Sequence, residues 1–101
     1  MTGSIKRSRY PSTRDTNDSV LISAHYDSRG SFGSARAPGG NDDGSGTTGL
    51  LAIARTIKRL GITFHSNVEL VAFAGEEQGL LGSRHYAGAF LSASCHSISD
   101  D

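Results

Sequence analysis

The sequence predicts an α/β fold in which a mostly parallel or mixed sheet is flanked by helices. Two observations predict it. Short apolar runs typical of buried strands occupy residues 19–24 and 67–74, and segments with helical spacing follow them at residues 47–60 and 80–91. A repeated strand–loop–helix order favours parallel strands joined by a right-handed crossover.

The segment 47–60 has the clearest helical pattern. Its apolar residues recur at a spacing that places them on one face, and basic residues gather near its C-terminal end, where the helix dipole favours cations. Gly61 is a suitable stop, and Thr47 or Thr48 a suitable N-cap. The segment 80–91 predicts a second helix.

The organisation of the chain follows from these elements. Residues 1–18 are polar and rich in turn-forming residues, which predicts an irregular lead-in. Residues 19–91 form the domain, and residues 92–101 predict a polar tail without periodicity. The glycine- and serine-rich loop at residues 28–46 has a length that usually indicates function or disorder.

Composition excludes several classes of function. The 101 residues include 10 basic and 10 acidic ones, so we expect neither a nucleic-acid partner nor an anionic membrane surface as partner. No apolar stretch approaches the roughly 20 residues that cross a bilayer. No apolar region follows the basic N-terminus, so we predict no signal peptide. With Cys95 as the one cysteine, any metal site must use histidine and carboxylates.

Such residues cluster where the strands end. His25 and Asp27 close the first strand, and Glu76 and Glu77 follow the second. Ligands of open parallel sheets bind beyond the C-terminal strand ends, and flanking glycines allow the loop to bring Asp42 there. One of the two glutamates would bind metal and the other would act as a general base, provided that a turn directs both to one side. Asp27 is placed to orient the imidazole of His25.

Each of these residues also has an ordinary explanation. His25 alone is more often a strand-end histidine than a metal ligand, and the segment 42–44 alone is more often a turn. Glu76 and Glu77 alone could open the next helix, where acidic side chains complement the dipole. The combination at matching strand ends is more specific than any single residue, so the sequence favours a metal site.

Three segments carry a resemblance to a known family. Residues 23–28, 37–46 and 72–83 resemble the metal-binding segments of the co-catalytic di-zinc aminopeptidases, in particular those of the fungal peptide hydrolases related to leucine aminopeptidase. The resemblance covers roughly residues 19–90. It implies a partial zinc-exopeptidase fold, two zinc ions, and release of N-terminal residues from peptides or proteins with a free N-terminus. It also implies secretion, since the resembling fungal enzymes are secreted.

The resemblance assigns a role to each candidate residue. His25 would bind one zinc, Glu77 the other, and Asp42 would bridge both. Glu76 would be the general base that takes a proton from the bridging water, and Asp27 would hold His25. In resembling structures, the peptide bond that follows the bridging aspartate is cis.

The family pattern also requires a later aspartate and a later histidine ligand, and the residues after Ser92 do not resemble the family. We therefore interpret the chain as an incomplete piece of a zinc metalloaminopeptidase. The alternative hypothesis is a catalytically incomplete remnant with at most weak zinc binding. A third interpretation keeps the fold but changes the reaction, since carboxypeptidases and acyl-transfer cyclases share this fold.

Overall fold

The computed structural model describes residues 5–98, with side chains as far as residue 89. Its elements follow the chain in the order β1 (Lys6–Tyr10), β2 (Ser19–His25), α1 (Gly44–Leu60), β3 (Asn67–Phe73) and α2 (Leu81–Ile98). Within these residues, no helix combines the length and the hydrophobicity needed to cross a bilayer.

The three strands form one mixed sheet in the order β1-β3-β2. Strand β2 runs parallel to β3, with His25 opposite Phe73, and β1 runs antiparallel to β3, with Tyr10 opposite Val68. The β2–α1–β3 unit is therefore the parallel crossover that the sequence predicts. The prediction of an α/β fold with a mixed sheet and helices is confirmed.

The main core lies between α1 and one face of β3. Leu50 and Ile57 of the helix are buried against Val68 and Leu70 of the strand. Because side chains alternate along a strand, Val71 and Phe73 belong to the opposite face. There, the ring of Phe73 meets Tyr86 of α2 edge-to-face, with 5.6 Å between the ring centroids. Strand β3 thus has packing on both faces.

The expected irregular lead-in at residues 1–18 is wrong for residues 6–10, which form β1. Its sequence, Lys-Arg-Ser-Arg-Tyr, has no apolar run to indicate a strand. Residues 6–10 become a strand because their backbone pairs with β3, and four of the five residues stay exposed. Cross-strand pairing thus overrides local propensity here.

The expected polar tail at residues 92–101 is also partly wrong, because α2 continues to Ile98. No glycine or proline interrupts residues 89–98, so nothing in this stretch forces the helix to end earlier. Residues 99–101 lie outside the described residues.

The run at residues 19–24 forms a strand as expected, but the expectation that it is buried is wrong. Val20, Leu21 and Ile22 are 49%, 47% and 37% exposed. Within the described part of the chain, β2 pairs with β3 along one side and lies at the edge of the sheet. The continuous apolar run, which suits a strand covered on both faces, therefore meets solvent.

Helix α1 begins three residues before the predicted start at Thr47. Its N-cap is Asp43, not Thr47 or Thr48, and the Asp43 Oδ1 accepts a hydrogen bond from the backbone N–H of Gly46 at 3.0 Å. The predicted stop at Gly61 is confirmed, with a left-handed φ of 60° and its N–H directed to the Ile57 carbonyl. Glycine adopts this conformation without the strain that a Cβ would introduce.

Candidate metal centre

The register of β2 against β3 brings the two strand ends together. His25 lies opposite Phe73, and the backbone N–H of Tyr26 donates to the Phe73 carbonyl at 3.0 Å. The chain then continues from β2 to Asp27 and from β3 toward Glu76. Parallel pairing therefore places the candidate residues at one edge of the sheet.

The imidazole of His25 has a defined orientation. Its Nδ1 lies 3.1 Å from the backbone carbonyl oxygen of Asp27, which can only accept a hydrogen bond. The neutral ring therefore carries its proton on Nδ1, and Nε2 keeps its lone pair. Nε2 faces carboxylates, 3.1 Å from Asp42 Oδ1 and 3.7 Å from Glu76 Oε2. Such an arrangement suits a metal ligand, whose second nitrogen usually donates to an oxygen.

The Asp27 carboxylate holds the turn that follows β3. Its Oδ1 accepts from the backbone N–H of Glu76 at 3.2 Å, and its Oδ2 accepts from the N–H of Glu77 at 3.1 Å. The same Oδ1 is 3.4 Å from His25 Nδ1. Asp27 thus fixes both sides of the site, the histidine mainly through its backbone carbonyl and the glutamates through its side chain.

A tight turn directs both glutamates to the same side. Gly75 has a φ of +73°, and the N–H of Gly79 donates back to the Glu76 carbonyl at 2.9 Å. A Cβ at position 75 would also lie 3.1 Å from the Cβ of Leu81, which makes glycine the fitting residue there. The side chain of Glu77 is 9% exposed and that of Glu76 is 38% exposed. Glu77, the less exposed of the two, is the one suited to act as a fixed metal ligand.

The structure brings His25, Asp42 and Glu77 together. Each offers one ligand atom, and these atoms lie within 4.8 Å of one another. Across the described side chains, this is the one such group of three or more potential ligands. One imidazole and two carboxylates are a donor set that zinc accepts, so the residues present fit the metal that the sequence predicts.

Charges and hydrogen bonds within the site shift two pKa values. Burial by itself would lower the pKa of His25, but the carboxylate of Glu76, the Asp27 carbonyl and the charge of Asp43 outweigh it and raise that pKa above its ordinary value. Burial would likewise raise the pKa of Asp27, but the hydrogen bonds from the backbone N–H groups of Glu77 and Glu76 outweigh it and lower that pKa. The carboxylate that holds the glutamate turn therefore stays ionised in mild acid.

Comparison with known proteins identifies the family. The sequence model of peptidase family M28 matches residues 7–98, which include every candidate residue of the site. The chain belongs to peptidase family M28.

Curated relatives carry names that agree with this family. The chain is 44% identical to aminopeptidase YwaD of Bacillus subtilis over 69 residues, which are 68% of the chain and 14% of the relative. It is 39% identical to a protein named "Probable zinc metalloprotease" of Pyrenophora tritici-repentis over 85 residues, 81% of the chain and 19% of the relative. It is 36% identical to leucine aminopeptidase 1 of Paracoccidioides brasiliensis over 74 residues, 68% of the chain and 19% of the relative.

The matches thus cover less than a fifth of each of these three relatives. No solved structure matches the chain significantly. The M28 match extends to residue 98, so the expectation that the chain stops resembling the family after Ser92 is wrong for residues 93–98.

Sequence reasoning missed two residues at the site of this M28 member. The first is Asp43, whose Oδ2 accepts from the backbone N–H of His25 at 3.2 Å. The peptide bond between Asp42 and Asp43 is cis, as the family resemblance implies. The signal for Asp43 was available, since aspartate directly before a helix is a favoured N-cap. The second is Arg29 of the long loop, whose Nε lies 3.5 Å from Glu77 Oε2. No sequence pattern indicates that contact.

Proposed function

We propose that this protein is a zinc-dependent aminopeptidase that hydrolyses N-terminal peptide bonds of peptides or proteins. The observation that carries the proposal is the convergence of His25, Asp42 and Glu77 at one edge of the sheet, with Glu76 beside them. Membership of family M28 and the aminopeptidase names of relatives support the same activity.

The three converging residues would hold the metal. His25 would bind through Nε2, because Nδ1 is engaged by the Asp27 carbonyl. The side chain of Asp42 is 76% exposed, so both of its oxygens are accessible and it is the residue suited to bridge two zinc ions. Glu77, the least exposed of the three, would bind the second ion.

Bound zinc would polarise the carbonyl of the scissile bond and lower the pKa of the attacking water. Glu76 is suited to the proton transfers that hydrolysis requires. Its carboxylate lies outside the ligand trio but within 3.7 Å of His25 Nε2, and its backbone is held by Asp27. It would take a proton from the attacking water and deliver it to the leaving amine.

Two variants of the full chain separate binding from chemistry. Zinc affinity is measured by calorimetric titration, and turnover with leucyl-p-nitroanilide. We expect His25→Ala to lose zinc binding and Glu76→Gln to keep zinc while losing turnover. His65→Ala is the matched control, because His65 is an exposed loop histidine. Equal zinc binding by His25→Ala and His65→Ala would overturn the proposed site, and normal turnover by Glu76→Gln would overturn the proposed base.

The alternative is a chain that binds zinc weakly and does not turn over substrate. One observation favours it: the converging group supplies one imidazole and two carboxylates, which is a small ligand set for two ions. Zinc binding without measurable turnover by the wild-type chain would select this alternative.

A further inference from the structure

We infer that Thr47 and Asp43, at the start of α1, are positioning residues that hold the backbone of His25 and thereby set the metal affinity of the site. The link to metal affinity rests on the proposed function, whereas the hold on His25 is a property of the chain itself.

Both backbone polar groups of His25 are bonded to the start of α1. The N–H donates to Asp43 Oδ2 at 3.2 Å, and the carbonyl accepts from the Thr47 hydroxyl at 2.9 Å. In a parallel strand, successive residues direct their backbone groups to alternate sides. Tyr26 accordingly donates to Phe73 of β3, and His25 faces away from that strand. The first turn of α1 therefore completes the hydrogen bonding of His25 at the sheet edge.

The two contacts are mechanically linked. The second oxygen of the Asp43 carboxylate caps α1 by accepting from Gly46, and the backbone N–H of Thr47 donates to the Asp43 carbonyl at 2.9 Å. Helix α1 is in turn anchored in the core by Leu50. His25 is thus tied through one helical turn to the buried core, and this turn directly follows Asp42, which faces its ring.

The contact made by Thr47 differs from those of other threonines in the same helix. The hydroxyls of Thr48 and Thr56 donate to the carbonyls of Gly44 and Ala52, each four residues earlier within α1. Such bonds are ordinary for a helical threonine. The Thr47 hydroxyl instead reaches 22 residues back along the chain to the end of β2. Thr48 is therefore a suitable control residue, because it lies next to Thr47 and its hydroxyl bonds within α1 and not to a strand.

The test compares Thr47→Val, Thr47→Ser and Thr48→Val in the full chain. Valine keeps the shape of threonine and removes the hydroxyl, whereas serine keeps the hydroxyl. The first measurement is the amide hydrogen exchange of His25 without metal. The second is the dissociation constant for zinc, the metal probe, at constant pH.

Thr47→Val removes the hydrogen bond to the His25 carbonyl, so the end of β2 should open more often. The His25 amide, although still bonded to Asp43, should then exchange about fivefold faster. The same substitution should also weaken zinc binding about tenfold, as loss of a contact behind a ligand does in other metal sites. Thr47→Ser and Thr48→Val should stay within about twofold of the wild type in both measurements.

Equal exchange rates at His25 in Thr47→Val and Thr48→Val would overturn the positioning role. Faster exchange of the His25 amide in Thr47→Val with an unchanged dissociation constant for zinc would also overturn it, because the proposed hold on His25 is what sets the metal affinity. If the wild-type chain binds no zinc, the proposed function fails and the link to metal affinity fails with it, while the exchange measurement still decides whether α1 holds His25. If Thr47→Val does not fold, Asp43→Asn replaces it in the exchange measurement, because asparagine keeps the helix cap.

Discussion

The carboxylate of Asp27 accepts a hydrogen bond from the backbone N–H of Glu77, with 3.1 Å between Oδ2 and N. The two residues are 50 positions apart, and the bond joins the end of β2 to the turn after β3. A lowered pKa keeps this acceptor charged, and a charged acceptor makes a stronger bond than a neutral one. Asp27, which follows β2, therefore positions Glu76 and Glu77, which follow the neighbouring strand β3.

Asp27→Asn should weaken zinc binding about 10- to 100-fold, the usual effect of disturbing a contact behind a metal ligand. Asparagine has one acceptor oxygen, so the N–H of Glu76 or Glu77 loses its partner. Calorimetric zinc titration measures the effect, and Asp15→Asn, at an exposed position of the lead-in, is the control. A zinc affinity equal to that of Asp15→Asn would show that the turn carrying Glu76 and Glu77 keeps its conformation without the Asp27 carboxylate.

Zinc binding should weaken as the pH falls through the raised pKa of His25. The carboxylate of Glu76 helps to stabilise the protonated ring, and zinc requires the neutral one, so proton competition begins above the ordinary histidine value. Below that pKa, the apparent dissociation constant should rise about tenfold per pH unit. Asp27 stays ionised in this range because its pKa is lowered.

The measurement for this pH dependence is a series of zinc titrations across the neutral and mildly acidic range. His65→Ala, which removes an exposed loop histidine, should leave the profile unchanged. A zinc affinity that begins to fall only below the ordinary histidine pKa would contradict the assignment of His25 as the titrating ligand.

Arg29→Gln should strengthen zinc binding about two- to fivefold. The guanidinium lies 3.5 Å from Glu77 Oε2 and competes with a metal cation for that carboxylate. The side chain of Arg29 is 71% exposed, so solvent screens the pair and the effect stays small. The comparison is Arg36→Gln, another exposed arginine of the same loop, by zinc titration at low and high salt. Weaker binding in Arg29→Gln would instead indicate that the arginine holds Glu77 in place.

Leu50→Ala should lower the free energy of unfolding by about 2–4 kcal/mol, because it opens a cavity between α1 and β3. Leu51→Ala is a matched control in the same helix. Leu51 is 65% exposed while Leu50 is 8% exposed, and its replacement should change the free energy of unfolding by less than about 1 kcal/mol. Urea denaturation followed by circular dichroism measures both. Similar losses in the two variants would place the core elsewhere.

Much of the site could be predicted from local patterns. The apolar runs before His25 and before Glu76 identify two strands, and the spacing of Leu50 and Ile57 identifies the helix between them. Gly61 indicates where that helix ends, as its left-handed conformation confirms. These signals depend on residues near one another in sequence, since periodicity and capping act over a few positions.

Only the tertiary structure decided the contacts that depend on how the strands pair and where the helices lie. The partners of the Asp27 carboxylate, and the contact between Thr47 and His25, join residues 22 to 50 positions apart. The pairing that turns residues 6–10 into a strand and the exposure of Val20 at the sheet edge also depend on which strands become neighbours. Such contacts follow from the placement of whole elements, and a sequence pattern a few residues long does not contain that information.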